Sequence, residues 1–358
     1  MAEEVWMLQT KKADFKQIGA RFRIDPVTAR IIRNRGIEGE AAIDRYLNGT
    51  LDDLYDPMLL KDMERAVSIL CEAVDTGKKI RIVGDYDIDG VCSTYILLQA
   101  FERLGSDVDF EIPDRIKDGY GINESIIEQA HADGVEVILT CDNGISAFHQ
   151  VELAKKYGMM VVITDHHEVP LDGEKEKIPP ADAVIDPKQA DCPYPFPEIC
   201  GAVVAYKLVQ VLYARRGVPQ MEWLDLLEFA AIATVGDVMK LQDENRILVK
   251  YGLKKMAQTK NLGLRRLAEK NNLDLGAITA YHIGFVIGPC LNAGGRLKTA
   301  KEALALLRAQ SEEEAERLAE ELKELNDTRK DMTEQGTEAA KLQVESWYQK
   351  DKVLVVFL

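Results

Sequence analysis

A regular alternation of short apolar runs with helical segments, between residues 79 and 187, is the feature that most constrains how this chain can fold. The apolar runs lie in "KIRIVGDYD", "DVDFEIPD", "VEVILTCDNG", "MMVVITDHH" and "DAVIDP". The first three are followed by "STYILLQAFERLG", "NESIIEQAHADG" and "SAFHQVELAKKYG", whose apolar residues recur at helical spacing. Strands that alternate with helices of this length predict a parallel sheet with helices on both faces. We therefore expect an α/β fold with a doubly wound, mainly parallel sheet.

The segments that flank this alternation divide the chain into four expected regions. Residues 1–77 have the pattern of a helical N-terminal region, and residues 78–300 form the main domain. Residues 301–350 include "SEEEAERLAEELKELNDTRKDM", an amphipathic helix that we expect to connect two domains through solvent. Residues 351–358 contain the apolar run "KVLVVFL". Because a strand needs neighbours, we expect the chain to be cut at the start of a further domain.

Two further stretches inside the main domain have recognisable sequence patterns. Residues 168–198 hold seven of the twelve prolines, so we expect an irregular surface loop there. From "CGAVVAYKLVQVLYARRG" to about residue 285 the pattern is mostly helical.

Composition predicts a cytoplasmic, soluble protein. Hydrophobic residues make up 46% and charged residues 29% of the chain, and six scattered cysteines form no C-x-x-C pair. The N-terminus lacks the pattern of a secretory signal, and no apolar stretch reaches the roughly 18 residues of a membrane span. A net charge of −15 argues against nonspecific coating of nucleic acid, although a local basic groove remains compatible with it.

The stretch "DYDIDG" places Asp85, Asp87 and Asp89 at alternate positions before Gly90, which points to a bound cation. An EF-hand calcium loop begins in the same way. Its twelfth position should be a bidentate Glu, but Ile96 stands there, and the loop follows a strand-like run instead of a helix. A calcium loop is therefore disfavoured.

A second polar stretch, "VVITDHHEV", places Asp165, His166 and His167 directly after an expected strand. Imidazole together with carboxylate suits Mn²⁺, Zn²⁺ or Fe²⁺. The carboxylates of "DYDIDG", "CDNG" and "DHH" are too many for one ion, which indicates two ions bridged by an Asp. Such a pair of ions suits phosphoryl transfer.

In this order and on these strand ends, "DYDIDG", "CDNG" and "DHH" resemble the motifs of the DHH phosphoesterases. A fourth motif of that family is similar to Asp237 in "AAIATVGDVMKL". Four further segments resemble the RecJ branch of the family: "PDRIKDGYGIN", "ICGAVVAYKL", "NRILVKYGL" and "GPCLNAGGRL". The resemblance extends from about residue 20 to the end of the chain, with 78–300 as the DHH catalytic domain and 351–358 as the start of a truncated DHHA1 domain.

The resemblance implies two divalent ions, Mn²⁺ or Mg²⁺, held by Asp85, Asp87, Asp89, Asp142, His166 and Asp237. Within that set Asp142 would bridge the ions, and Asp85 would either ligate or lie directly behind. Asp165 would orient an imidazole, and His167 would face the scissile phosphate. Arg296 would stabilise the charge that develops during the reaction.

The resemblance also implies the substrate contacts. Arg115, Asn292 and Arg296 would bind phosphates of the strand. Four further arginines are candidates to line a basic groove: Arg21, Arg23, Arg265 and Arg266. Where relatives commonly have "GPRLNAAGRL", this chain has Cys290 and Gly294, and so lacks one Arg that could touch substrate. "GDVMKL" replaces the common "ADVVPL" but keeps the motif Asp.

The implied activity is that of a 5′→3′ exonuclease of DNA repair and recombination, which acts on single-stranded DNA and releases 5′-mononucleotides. A single-strand-binding protein and a RecQ-type helicase are the implied partners, and no membrane is involved. Two alternatives stay open. One is a DHH phosphoesterase that acts on short oligonucleotides, cyclic dinucleotides or pyrophosphate. The other is a non-catalytic scaffold similar to the RecJ-related subunit of eukaryotic replicative helicases.

Overall fold

The fold is known from a computed structural model, which describes residue 7 and residues 11–115, 121–347 and 355–356 of the 358-residue chain. The expected strand at 351–358 lies almost wholly outside the described residues, as does part of the "PDRIKDGYGIN" segment.

A five-stranded, fully parallel sheet forms the centre of the molecule. In chain order its strands are β1 (Ile80–Val83), β2 (Val108–Glu111), β3 (Val137–Cys141), β4 (Met160–Thr164) and β7 (Ala183–Ile185). They lie side by side in the order β2-β1-β3-β4-β7. The order reverses direction after β1, which is the position where open α/β sheets place their ligands.

Helices cover both faces of this sheet, as the alternation predicted. The helices that follow β1, β2 and β3 are α5 (Ile88–Arg103), α6 (Glu124–Ala132) and α7 (Phe148–Lys156). One face of the sheet packs with α5 in a core that contains Ile82 and Leu139, and the other packs with α6 and α7 in a core that contains Ile138. Because neighbouring residues of one strand point to opposite faces, the central strands β3 and β4 are almost wholly apolar, whereas the half-buried edge strand β2 alternates apolar and acidic residues. The α/β, doubly wound fold is confirmed.

The N-terminal region is helical, as expected. Its helices are α1 (Phe15–Phe22), α2 (Pro26–Asn34), α3 (Glu40–Asn48) and α4 (Met63–Thr76). Two 3₁₀ turns, Leu51–Asp53 and Pro57–Leu59, lie between α3 and α4. Asp14 and Asp25 accept hydrogen bonds from the first free N–H groups of α1 and α2, and so begin those helices.

The proline-rich stretch 168–198 is more ordered than expected. It contains a small antiparallel hairpin, β5 (Leu171–Asp172) with β6 (Lys175–Glu176), before the edge strand β7. Gly173, at φ 66°, makes the tight turn possible. The prediction of a purely irregular loop is wrong, because the prolines lie outside the short hairpin.

The chain after the sheet is helical. In order it forms α8 (Gly201–Arg215), α9 (Gln220–Leu224), α10 (Leu227–Gly236), α11 (Asp243–Met256), α12 (Leu262–Lys270), α13 (Ala280–His282), α14 (Gly288–Leu297), α15 (Lys301–Leu307) and α16 (Glu312–Trp347). A 3₁₀ turn, Leu275–Ala277, precedes α13. A π-helical turn, Ile283–Ile287, joins α13 to α14.

The C-terminal helical region differs from the expected solvated connector in two ways. It consists of two helices, since α15 ends at Leu307 before α16 begins. The first half of α16 packs into the main core through Leu318 and Leu322, beside α12, α14 and α15. The apolar stripe in the first half of α16 is therefore part of the hydrophobic core of the main domain. Within the described residues, no helix has the length and apolar character to cross a membrane.

Candidate metal centre

The polar loops at the carboxyl ends of β1, β3 and β4 meet at one edge of the sheet, where α5, α8 and α10 also end or begin. Six side chains of metal-ligand type converge there: Asp85, Asp87, Asp89, Asp142, His166 and Asp237. Carboxyl ends of parallel strands meet in this way in open α/β sheets. Every residue that the sequence assigned to the ligand set lies in this cluster.

One group of possible ligands surrounds the imidazole of His166. Its Nε2 lies 3.1 Å from Asp142 Oδ1, 3.5 Å from Asp89 Oδ2 and 3.9 Å from Asp237 Oδ2. Burial lowers the pKa of His166, which favours the neutral imidazole that binds metals. A neutral ring nitrogen facing three carboxylates is a suitable ligand set for a first-row divalent ion.

A second group consists of Asp85, Asp87 and Asp142, whose candidate ligand atoms lie within 4.8 Å of one another. Asp142 belongs to a grouping with His166 as well, so it lies between the two groups. Its backbone is left-handed, at φ 60°, a conformation that is unfavourable for a residue with a side chain. The bond from its N–H to the Thr164 carbonyl, at 3.0 Å, helps to hold this conformation.

The start of α5 holds the first of the aspartates. Asp87 is the N-cap of α5 and accepts hydrogen bonds from the N–H groups of Asp89, at 2.9 Å, and Gly90, at 3.1 Å. Gly90 is required here, because a Cβ would lie 2.4 Å from the carbonyl oxygen of Asp85. The motif "DYDIDG" thus folds as a strand end followed at once by a capped helix.

Asp89 is held by a different helix. Its two carboxylate oxygens accept hydrogen bonds from the first N–H groups of α8, Gly201 at 2.7 Å and Ala202 at 2.8 Å. Free N–H groups at a helix start, together with the helix dipole, stabilise a carboxylate. Gly201 is also required sterically, since a Cβ there would lie 2.7 Å from Asp142 Cβ.

The role of Gly201 was missed by sequence reasoning. The segment "ICGAVVAYKL" was noted only for its resemblance to relatives. A small residue at the expected start of a helix was the available signal, but the partner of its N–H group is 112 residues away in the chain.

Asp165 supports the loop that carries the histidines. Its Oδ1 lies 2.7 Å from His167 Nδ1 and accepts from the N–H of His166, while its Oδ2 accepts from the N–H of Ile145 at 2.9 Å. Burial opposes ionisation of Asp165, but the bond from His167 and the other donors outweigh it, so its pKa is lowered. Asp165 therefore orients the His167 ring.

The hydrogen bond between Asp165 and His167 also explains the raised pKa of His167. Burial alone would lower its pKa, but the hydrogen bond and charge of Asp165 raise the pKa of His167 to about 9. The shift favours the protonated ring of His167, at the rim of a cluster whose carboxylates Asp89 and Asp237 also raise its pKa.

The carboxyls of the cluster oppose one another's ionisation. Burial, together with the charge of Asp87, raises the pKa of Asp85 to about 7. Burial and the charges of Asp89 and Asp87 raise the pKa of Asp237 to about 7, and the pKa of the buried Asp142 is also raised. Like charges this close can all ionise only if positive charge lies between them.

The cluster fits a divalent cation on chemical grounds. Asp85 Oδ1 is buried and has no hydrogen-bond partner among the described residues. Buried polar atoms without partners are costly, and a metal ion would remove that cost. The donor set of carboxylate oxygens with one or two imidazoles suits Mn²⁺ and accepts Mg²⁺ less well, since Mg²⁺ prefers oxygen ligands alone.

A cleft next to the cluster brings together the expected substrate-binding residues. It has a volume of about 310 Å³ and is lined by Asp85, Tyr86, Asp87, Ile88, Arg115, Gly236, Asn292, Gly295 and Arg296. The guanidinium of Arg115 lies 5.3 Å from the centre of the Tyr86 ring, a cation–π contact that fixes the cation at the cleft. Arg115, Asn292 and Arg296 thus lie together, two cations and an amide on one side of the acidic cluster.

The four arginines suggested for a basic groove do not line this cleft. Arg265 and Arg266 both form ion pairs with Glu312 at the start of α16. Arg21 pairs with Glu40 of α3, and Arg23 is the left-handed C-cap of α1. All four thus lie outside this cleft, and their part in a wider basic groove stays a prediction.

The position of Cys290 bears on a second expectation. Its sulfur is buried, 3.6 Å from Asn326 of α16 and 3.9 Å from Asn271. It therefore faces the interior between α14 and α16. Cys290 itself does not line the cleft, and the effect of the missing arginine on substrate contacts stays a prediction.

Comparison with known proteins agrees with this geometry. The model of the DHH family, N-terminal domain, matches residues 79–234. The chain is 37% identical over 336 residues to the single-stranded-DNA-specific exonuclease RecJ of Bacillus subtilis (strain 168), covering 94% of this chain and 41% of that protein. It is 38% identical over 324 residues to the protein of the same name from Haemophilus influenzae, covering 88% of this chain and 55% of that protein.

A solved structure extends the likeness to three dimensions. The crystal structure of exonuclease RecJ bound to manganese matches with a TM-score of 0.69 at 35% identity, covering 77% of this chain and 68% of that chain. The chain spans about half the length of the curated relatives it matches. The chain therefore belongs to the RecJ family of DHH proteins.

Proposed function

We propose that this chain carries the catalytic centre of a metal-dependent exonuclease that hydrolyses single-stranded DNA from the 5′ end and releases 5′-mononucleotides. The observation that carries the proposal is the convergence of six ligand-type side chains beside a cleft with two arginines. Relatives are named single-stranded-DNA-specific exonucleases, and one was solved with manganese. Roles in DNA repair and recombination, and contacts with a single-strand-binding protein and a RecQ-type helicase, are part of the same proposal.

The ligand groups support a pair of Mn²⁺ or Mg²⁺ ions. Asp89, His166 and Asp237 would hold one ion, Asp85 and Asp87 the other, and Asp142 would be shared. When bound, such ions supply a hydroxide at neutral pH and positive charge for a phosphoryl group.

The remaining residues of the site bind and orient the strand. Arg296 and Asn292 lie on the same helix face of the cleft and are placed to hydrogen-bond phosphoryl oxygens, where Arg296 stabilises developing negative charge. Arg115, fixed over Tyr86, would bind a phosphate near the 5′ end. His167, oriented by Asp165, would hydrogen-bond the reacting phosphate.

Cleavage of end-labelled oligonucleotides tests the proposal. Single-stranded DNA labelled at the 5′ end or the 3′ end is incubated with the protein and Mn²⁺, next to the same sequence as a duplex. We expect the 5′ label to appear at once as mononucleotide and the 3′ label to appear as a shortening ladder, with the duplex spared. Asp142→Asn should abolish both signals.

The matched control is Asp172→Asn, which removes the same charge from the exposed hairpin and should cleave as wild type does. Release of the label from a cyclic dinucleotide or a dinucleotide alone, with longer DNA untouched, would instead support a small-substrate phosphoesterase. Absence of any cleavage by the wild-type chain contradicts the proposal.

A further inference from the structure

Two aromatic side chains stand exposed on the helix that leads into the cleft. Tyr281 is 64% exposed and Phe285 is 67% exposed. Their rings stack on each other, with centres 4.7 Å apart and planes 26° apart. Tyr281 lies in α13 and Phe285 in the π-helical turn that follows. Large apolar rings exposed side by side commonly mark a binding surface.

The same helical stretch also forms the wall of the cleft. Gly284, Gly288, Asn292 and Arg296 follow one another at a spacing of four, which places them along one side of the stretch. All four line a cavity of about 180 Å³, together with Gly236, Pro289 and Arg329. Asn292, Arg296 and Gly236 also line the cleft beside the candidate metal ligands, so the two spaces adjoin, and we refer to them together as the channel.

The aromatic rings lie beside the channel, next to Gly284, which lines its smaller cavity. Phe285 directly follows Gly284 in the chain, and Asn292 is seven residues further on. At about 1.5 Å per helical residue, the backbone positions of Phe285 and Asn292 are roughly 10 Å apart along the helix axis, which is comparable to one or two nucleotides of an extended strand. A strand whose phosphate lies at Asn292 and Arg296 would pass its next bases over the rings.

A third cation, Arg329, also lines the channel. Arg329 of α16 donates to Asn326 Oδ1 at 3.2 Å, and within the described residues no ion pair includes it. Its guanidinium is partly exposed and lines the channel. An arginine held by an amide, with no carboxylate to neutralise it, is suited to bind a phosphate.

We propose that Tyr281 and Phe285 form a stacking platform for the bases of the single strand, and that Arg329 binds a phosphate of the same segment. This inference deepens the proposed function and rests on it. Stacking requires a base with a free face, which a single strand offers and a duplex does not. The platform is thus a specificity-determining element for single strands, and it acts by positioning the strand.

Oligonucleotides with 2-aminopurine at successive positions test the platform directly, because stacking on an aromatic ring quenches this base. Binding is measured in EDTA, so that no hydrolysis occurs. With wild type, we expect quenching at one or two positions near the 5′ end. Tyr281→Ala combined with Phe285→Ala should remove the quenching and weaken binding by about tenfold or more. With Mn²⁺, the loss should appear in KM more than in kcat.

Substitutions at one position separate stacking from simple apolar contact. Phe285→Trp should retain quenching and affinity, whereas Phe285→Leu should lose both. Tyr157, which is exposed and stacks on His131 away from the channel, gives the matched control, and Tyr157→Ala should behave as wild type. Wild-type affinity in Phe285→Leu, or quenching that persists in the double variant, would overturn the platform.

Salt dependence tests the arginine. Removing one phosphate contact to a single strand should reduce the slope of log affinity against log salt by about 0.7 in Arg329→Gln. Arg317→Gln, on the same helix but paired with Glu321, should leave the slope unchanged. Equal slopes in wild type and Arg329→Gln contradict the assignment. Since binding is measured without metal, a wild-type chain that binds and quenches but does not cleave refutes the proposed activity and leaves the platform standing.

Discussion

At the scale of single residues, the site depends on backbone donors that no motif displays. Asp89 is fixed by two N–H groups at the start of α8, and the residue that supplies the first, Gly201, also lies close to Asp142. One glycine therefore serves both ligand groups. A side chain at position 201 would collide with Asp142, so the candidate metal centre requires a glycine there.

Gly201→Ala should damage both stability and metal binding. The added methyl would lie 2.7 Å from Asp142 Cβ, so one of the two residues must move. We expect a loss of about 1–3 kcal/mol in the free energy of unfolding, typical of overpacking, and weaker Mn²⁺ binding. Urea unfolding and Mn²⁺ titration measure the two effects.

The control for stability is Gly284→Ala, where the nearest atom to a new Cβ is Val235 Cγ1 at an ordinary 3.7 Å. It should unfold close to wild type. If Gly201→Ala had wild-type stability and wild-type Mn²⁺ affinity, the close contact at Asp142 would have no consequence and the account of this glycine would be wrong.

Glu228 gives a pH-dependent prediction away from the metal ligands. It is 3% exposed, and its Oε1 accepts a bond from the Thr259 hydroxyl at 2.6 Å. Burial raises its pKa from 4.5 to about 7. The folded state then holds the proton more tightly than the unfolded state. The stabilisation is complete below pH 4.5 and is lost as the pH rises through 7, by about 3 kcal/mol at most.

The difference in unfolding free energy between wild type and Glu228→Gln isolates this contribution, because the metal-site aspartates affect both proteins alike. We expect urea unfolding to show that the free energy of unfolding of wild type falls, relative to that of Glu228→Gln, as the pH rises from 4.5 to 8. The exposed Glu313→Gln variant should give a constant difference. A constant difference for Glu228→Gln as well would show that its proton affinity is unchanged by folding.

The members of the candidate cluster could be named from the sequence, because the polar stretches follow recognisable strands and the family resemblance adds Asp237. The arginines could not be predicted equally well. Arg115 and Arg296 reach the cleft, while Arg265 and Arg266 pair with Glu312. Whether a surface arginine forms an ion pair depends on a carboxylate that is distant in sequence, and no local pattern reveals that partner.

At the scale of elements, the order of strands and helices was predictable and the contacts of the last helix were not. The alternation fixes a parallel sheet because both its faces must be covered. An amphipathic stripe, by contrast, shows that a helix has a partner without saying which one. For α16 the partners are α12, α14 and α15, so its first half belongs to the main core.

Leu322→Ala tests this placement of α16. The side chain is fully buried, so its truncation should cost about 2–5 kcal/mol in the free energy of unfolding. Leu342→Ala, on the same helix but 64% exposed, should change stability by no more than about 0.5 kcal/mol. Urea unfolding of the two variants gives both values. Equal, small effects would mean that the helix is a solvated connector after all.

At the scale of the whole molecule, an acidic chain presents a cleft with local positive charge. The net charge of −15 would repel DNA at long range, yet Arg115, Arg296 and Arg329 line two adjoining spaces beside the acidic cluster. Bound divalent ions would add further positive charge at the same point. The net charge, read from the sequence alone, argued against nonspecific coating of nucleic acid. The positions of the cations beside the acidic cluster became known only from the fold.

The central claim is that the buried aspartates and His166 exist to hold divalent cations, and calorimetric titration of the metal-free chain with Mn²⁺ tests it most directly. We predict saturable binding of two ions per chain, lost or reduced to one weak ion in Asp142→Asn and unchanged in Asp172→Asn. No saturable binding by the wild-type chain, or identical binding in Asp142→Asn, would contradict the account.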